Sequence, residues 1–168
     1  RDTQGSIDWV EDHTDDPNIV KDAERNKKAF VGHELMGRKV GVVGLGAVGS
    51  KVANALVALG ADVYGYDPYL SVEHAWQLDR SVKRVESLDD LCRGAEYLTL
   101  HVPAKEDTIH MISTEQLALL APSAMLLNYA RADIIDEDAV AAALESGQLG
   151  KFICDFATPK TTKPNSPP

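Results

Sequence analysis

The sequence predicts an α/β protein, a doubly wound parallel sheet of about six or seven strands. Three observations carry that expectation. Short apolar runs of strand character alternate with helical stretches from Lys39 to Asp155, and strict alternation implies a parallel sheet with crossover helices. Gly44, Gly46 and Gly49 form G-x-G-x-x-G between a strand and a helix, the turn of a Rossmann half. The polar residues of interest fall at the ends of the predicted strands, where open α/β sheets take their ligands.

Size and charge narrow the classes. At 168 residues the chain can bury one domain but not a dinucleotide domain together with a full substrate domain. Its 44% apolar content is ordinary for a globular protein. A net charge of −9 with no basic cluster argues against nucleic acid and against an anionic membrane surface. No apolar run approaches the roughly 20 residues of a membrane-spanning helix, and no charged-then-apolar leader is present. Cys92 and Cys154 suggest neither a disulfide framework nor a metal site, so two reduced thiols and a cytoplasmic location are expected.

Along the chain, residues 1–37 read as a helix-rich lead. Ile7, Trp9 and Val10 sit among Asp8, Glu11, Asp12, Asp15 and Asp16, a solvated acidic face. Residues 17–30 are predicted helical, with Pro17 in the first turn. Such a lead cannot build a core and is expected to pack on the main domain or another chain, with a dimer contact as one use. Residues 39–43 form the first strand, 50–59 a helix, and 61–66 the second strand, ending at Asp67. A polar stretch with Trp76 leads to a third strand over 81–86. Ser87 caps a short helix that Gly94 stops. The fourth strand is 96–101, cut by Val102-Pro103. Ser113 to Gln116 has capping-box form and opens a helix through Leu120. Residues 124–128 are the fifth strand, 136–146 a helix closed by Gly147, and 151–155 the sixth strand. Residues 160–168 read as linker or disordered tail. Trp9 and Trp76 are expected to pack rather than to serve as stacking platforms.

The chemistry follows from the strand ends. Gly44 allows the tight turn, Gly46 lets backbone approach a pyrophosphate, and Gly49 lets helix and strand pack closely. Free amides at the helix start then face the anion. Asp67 lies 18 residues past Gly49, where a carboxylate accepts from ribose hydroxyls and repels a 2′-phosphate; the upstream glycines favour that reading over a simple cap of an Asp-Pro turn with Pro68. No arginine follows until Arg80, which favours NAD over NADP. Arg131 is either a surface arginine or a bidentate grip on a substrate carboxylate. Asp155 could bond a helix N-terminus or a cofactor amide. His101 could act as a general acid/base by its reference pKa, though a histidine before Val-Pro ordinarily serves as a structural hydrogen-bonder. His13, His33, His74 and His110 show no ligand spacing.

The chain resembles the D-isomer-specific 2-hydroxyacid dehydrogenases over nearly all of residues 1–159. The residues that carry the resemblance are Gly44-Leu-Gly-Ala-Val-Gly49, Gly65-Tyr-Asp-Pro68, His101-Val-Pro103 with Thr108, Leu127-Asn-Tyr-Ala-Arg131 with Ile135-Asp-Glu137, and Leu149-Gly-Lys with Cys154-Asp155. Tyr66-Asp-Pro-Tyr69 and Asp155-Phe-Ala-Thr-Pro159 look most like the D-3-phosphoglycerate dehydrogenase branch, which implies serine biosynthesis. The resemblance implies that Ala47 and Val48 offer amides to the pyrophosphate and that Asp67 is the ribose acid. It sets Val102 on the adenosine side, with His101 and Pro103 as further cofactor-binding residues, Tyr129 and Ala130 beside the nicotinamide, and Asp155 near its amide. Arg131 matches the catalytic arginine that binds substrate carboxylate and carbonyl. Similar proteins reduce a 2-keto acid or oxidise a D-2-hydroxy acid, with NAD(H) as the hydride carrier, and pair as homodimers.

Two departures stand out. Ala132 replaces the family's usual glycine after the arginine. Lys160 occupies the position of the carboxylate that tunes the catalytic histidine, which itself belongs to a downstream segment outside these 168 residues. The expectation is therefore a cofactor domain that binds NAD and does not turn over substrate alone. An NAD-sensing corepressor-like protein on the same fold is the alternative. A methyltransferase would fit the glycines but leaves Arg131 and Asp155 unexplained.

Overall fold

The computed structural model describes residues 3–27, 32 and 34–156 and divides into two compact units, Arg1–Glu34 and Leu35–Pro168. The first holds α1 (Thr3–Asp12) and α2 (Ile19–Asn26). Asp8, Glu11 and Asp12 of the acidic run lie in α1, and Asp15 and Asp16 fall after its end. Trp9 stacks on His13 with ring centroids 4.4 Å apart, and His13 Nδ1 bonds the Trp9 carbonyl at 2.8 Å, satisfying one of the open carbonyls at the end of α1. The helix predicted over 17–30 is α2; Phe30 lies outside the described residues. No residue of α2 is buried.

The second unit is the predicted parallel sheet. Its strands are β1 (Lys39–Val43), β2 (Asp62–Tyr66), β3 (Lys83–Arg84), β4 (Tyr97–Leu100), β5 (Ala124–Asn128) and β6 (Leu149–Cys154). They lie in the order β3-β2-β1-β4-β5-β6, every pairing parallel. The connections carry α3 (Gly49–Ala58), α4 (Val72–Gln77), α5 (Leu88–Cys92), α6 (Thr114–Leu119) and α7 (Glu137–Glu145). The order reverses at β1, because β2 lies on one side of it and β4 on the other; that reversal is where doubly wound sheets bind ligands.

β1 is buried along both faces, as central parallel strands are. Its successive residues point opposite ways. Val42 joins Leu45, Ala53 and Val63 in one apolar cluster, whereas Val43 joins Leu98, Leu100, Leu126 and Val140 in the other. At the amino edge, Arg38 and Glu96 pair at 2.6 Å, and the Lys39 amide donates to Glu96 Oε2 at 3.0 Å. The Arg38 guanidinium holds the Glu96 carboxyl below its usual range. These bonds fasten β1 to β4 at the edge opposite the loops.

Two local expectations need correction. The third strand shrinks from 81–86 to two residues, both exposed and charged; cationic side chains are how an edge strand avoids further pairing. Trp76 does not pack. It lies in α4, a helix the sequence reading did not include, and is 85% exposed. Val72, one turn earlier, is exposed as well, so this six-residue helix turns its apolar side outward.

Candidate dinucleotide site

Register decides which residues meet. Tyr66 pairs with Val43, Val43 with Leu100, Leu100 with Asn128, and Asn128 with Cys154. Five strands therefore end in one row, and the residues that follow share a single edge: Asp67, Gly44, His101, Tyr129 and Asp155. At about 4.8 Å between strands, the row from β2 to β6 runs roughly 19 Å. Asp67 follows β2 and Arg131 lies three residues past the end of β5, so both stand at the same carboxyl edge of the sheet.

The glycine loop sits at the centre of that row. A Cβ on Gly49 would lie 1.8 Å from the Gly44 carbonyl oxygen, a distance no side chain can occupy. Gly44 has φ +84°, and its missing Cβ would meet Val102 Cγ1 at 2.7 Å and the His101 oxygen at 2.8 Å. These two glycines let α3 begin directly against the turn and the turn pack against the end of β4. Gly46 differs, since nothing lies within 4 Å of where its Cβ would be. The buried Ser50 donates from Oγ to the Gly46 carbonyl at 2.8 Å. Among the described residues, no acceptor bonds the amides of Ala47 and Val48. Open backbone and unpaired donors at a helix start fit an anionic group.

Asp67 holds this loop from the side. Its Oδ2 accepts from the Leu45 amide and its Oδ1 from the Tyr69 amide, each at 2.9 Å. The turn-capping reading is therefore correct as far as it goes, yet a carboxylate offers about four lone-pair positions, so acceptor capacity remains for hydroxyl donors. Asp67 lines a cleft of about 430 Å³ together with Gly44, Gly46, His101, Val102 and Pro103, a volume typical of small-molecule sites. The far wall is the 103–108 loop, folded by Thr108, whose Oγ1 donates to the Pro103 carbonyl at 2.6 Å and accepts from the Lys105 amide at 2.8 Å. Tyr69 reaches across and donates to Asp107 at 3.0 Å.

His101 is half-buried at the end of β4. Its Nε2 is 3.0 Å from Oγ1 of the buried Thr99, and burial pushes its pKa below the ordinary 6.5. A neutral, anchored imidazole suits the structural role better than proton transfer.

Ala47, Val48, Gly49, Tyr129, Ala130, Arg131 and Asp155 do not line that cleft. Ala47, Val48 and Gly49 open α3 beside it, and the other four stand further along the edge. Asn128, fully buried, builds their loop: its Nδ2 donates to the Arg131 carbonyl at 2.8 Å and its Oδ1 accepts from the Ala130 amide at 3.1 Å. Arg131 is exposed and donates from Nη1 to the Ala130 carbonyl at 2.7 Å. Ala132 starts a short 3-10 turn, Ala132–Ile134, and a parallel bridge between Ile112 and Ile135 ties this loop to the segment after β4. Asp155 is exposed just past β6; Lys160 lies outside the described residues. Cys92 is buried, its thiol pushed up to about 12, so it forms no thiolate near neutrality. No group of three or more metal-ligating side chains occurs among the described residues.

The sequence assigns no site-building part to Thr99 or Tyr69, and it places Asn128 at a strand end without its role in holding the Arg131 loop. An alternation reading could have found Thr99, a polar residue facing the same way as His101 two positions on.

Comparison with known proteins agrees with this geometry. The family model described as D-isomer specific 2-hydroxyacid dehydrogenase, NAD binding domain, matches residues 7–167. The chain is 38% identical over 146 residues to a D-3-phosphoglycerate dehydrogenase of Methanocaldococcus jannaschii, covering 87% of this chain and 28% of that protein. It is 38% identical over 130 residues to an (S)-sulfolactate dehydrogenase of Chromohalobacter salexigens, covering 77% and 41%. The holo form of Rhodotorula graminis D-mandelate dehydrogenase superposes with a TM-score of 0.74 at 27% identity, over 95% of this chain and 47% of that one. The chain thus spans less than half the length of each of these three relatives.

Two outcomes follow from the geometry. Gly49→Ala should lower stability in urea unfolding by about 3 kcal/mol, since backbone must move to admit the methyl, while Gly46→Ala should change it by less than about 0.5 kcal/mol; equal effects would contradict the different roles given to them. The depressed pKa of His101 means that the unfolded chain takes up a proton below pH 6.5 that the folded chain refuses. The stability His101 contributes is therefore present above that pH and lost as pH falls beneath it. Unfolding midpoints between about pH 7.5 and about pH 5.5 should fall less steeply in His101→Gln than in the wild type, and parallel slopes would show that its burial does not matter.

Proposed function

The chain belongs to the D-isomer specific 2-hydroxyacid dehydrogenase family as an NAD-binding domain, and on that premise we propose that the protein it serves is an NAD-dependent dehydrogenase of a D-2-hydroxy acid, D-3-phosphoglycerate foremost. The observation that carries the coenzyme half is the open backbone at Gly46, with unpaired Ala47 and Val48 amides, beside the Asp67 carboxylate. In this reading those amides take the pyrophosphate, and the free lone pairs of Asp67 take the ribose hydroxyls. Val102 and Pro103 wall the adenosine side.

Further along the edge, Tyr129 and Ala130 flank the nicotinamide and Asp155 meets its amide. Arg131 binds the carboxylate and carbonyl of the substrate; its guanidinium has five N–H donors, and the bond to the Ala130 carbonyl uses Nη1 alone. Asn128, by holding both the Ala130 amide and the Arg131 carbonyl, fixes the backbone from which that arginine extends. NAD, when bound, supplies the hydride acceptor. His101 does not carry the proton in this scheme, because burial lowers its pKa and so favours the neutral ring. The acid/base and the remainder of the substrate pocket lie in the longer protein, so the 168 residues alone are expected to bind NADH without turnover. The 38% identity to a D-3-phosphoglycerate dehydrogenase supports the substrate choice.

NADH fluorescence titration tests the first half: saturable binding should appear with the wild-type chain and weaken in Gly46→Ala, and no binding up to millimolar coenzyme would end the proposal. For the second half, the longer protein should reduce NAD with D-3-phosphoglycerate, with kcat/KM at least about 30-fold lower in Arg131→Ala. Preference for another 2-hydroxy acid would move the substrate, and an unaffected Arg131→Ala would remove its catalytic role.

A further inference from the structure

Thr99 is a buried polar side chain to which the scheme above gives no part in binding the coenzyme. It lies inside β4 with its neighbours Leu98 and Leu100 fully buried. Its hydroxyl has a single partner among the described residues, Nε2 of His101 at 3.0 Å. Two residues apart on a strand, both side chains point to one face.

Proton accounting decides what the pair can do. A hydroxyl both donates and accepts, whereas a neutral imidazole has one nitrogen that donates and one that accepts. If Nε2 carried the proton, it would donate to Thr99, and the buried hydroxyl hydrogen would be left with no acceptor. An unsatisfied buried donor is costly. If Thr99 instead donates to Nε2, the hydroxyl hydrogen is satisfied and the imidazole proton sits on Nδ1. That nitrogen has no partner among the described residues, and His101 lines the cleft that Asp67 and Gly46 also line.

We infer that Thr99 is a positioning residue that fixes His101 in the Nδ1–H form, making it a neutral donor to an oxygen of the bound dinucleotide. The inference rests on the coenzyme reading of the cleft for its ligand, but not for its tautomer. It gives the His101-Val-Pro103 turn a defined part: His101 Cβ would be 3.3 Å from the absent Cβ of Gly49, and the side chain contributes a donor to the cleft that Gly46 and Asp67 also line. A donor without charge adds a bond there without adding a titrating cation.

The test is nitrogen-15 NMR of the histidine rings in the 168-residue chain. His101 should show a protonated Nδ1 and an unprotonated Nε2, and the reverse pattern would overturn the inference by itself. Thr99→Val, which keeps the shape and removes the hydroxyl, should release the ring to the Nε2–H form and raise the Kd for NADH about fivefold to tenfold. Thr99→Ser should restore both. A folded Thr99→Val with unchanged tautomer and unchanged Kd would also overturn it. Should the wild type bind no NADH, the coenzyme reading fails, while the ring spectrum still decides the Thr99 assignment.

Discussion

The contact between the Gly49 backbone and the Gly44 carbonyl is the constraint on which the rest of the edge depends. Because no Cβ can stand 1.8 Å from that oxygen, α3 must begin flush against the turn. The amides of Ala47 and Val48 just before it have no acceptor among the described residues and stay available to a ligand. The Gly44 amide donates to the Tyr66 carbonyl at 2.8 Å, and the Leu45 amide donates to Asp67. The loop is thereby bound to β2 on one side and packed on His101 and Val102 on the other. A rigid loop with open donors is what an anion site requires, because no ordering cost remains to be met on binding.

Sheet order then sets the division of labour. β1 lies between β2 and β4, so the cleft formed by the Asp67 and His101 turns stands over the glycine loop. β5 and β6 continue the edge and carry the Arg131 loop and Asp155 beyond it. The two halves are not independent. The Ile112 to Ile135 bridge and the His110 amide, bonded to the Asp133 carbonyl at 2.8 Å, stitch the segment after β4 to the loop after β5. The loop that carries Arg131 is thus tied by backbone bonds to the segment that follows β4.

Much of this was legible in the residues. Strict alternation of strand and helix foretold the parallel sheet, and the glycines with Asp67 foretold its centre, because both depend on local chemistry that composition exposes. Ser87 caps the helix it was expected to cap, its side chain accepting from the Asp90 amide, whereas Asp136, read as the first residue of its helix, is that helix's cap. What stayed hidden depends on neighbours distant in sequence. Asp67 reads as either turn cap or ribose ligand, and only the fold reveals that it also holds the Leu45 amide, 22 residues earlier. Trp76 looks like a core residue by type, but a six-residue helix at the sheet's edge has no layer to bury it in. The lead reads as helix-rich, but the bounds of its first helix, Thr3–Asp12, are not legible because its few apolar residues give only a faint periodicity.

The central claim is that the row of strand ends, with the glycine loop at its middle, is where a dinucleotide lies. Amide chemical-shift mapping during titration with NAD addresses it most directly. The account predicts the largest changes at Leu45 to Gly49, with further changes at the turns after β2, β4 and β5. Shifts confined to the opposite edge, around Arg38 and Glu96, or to the lead helices would contradict it.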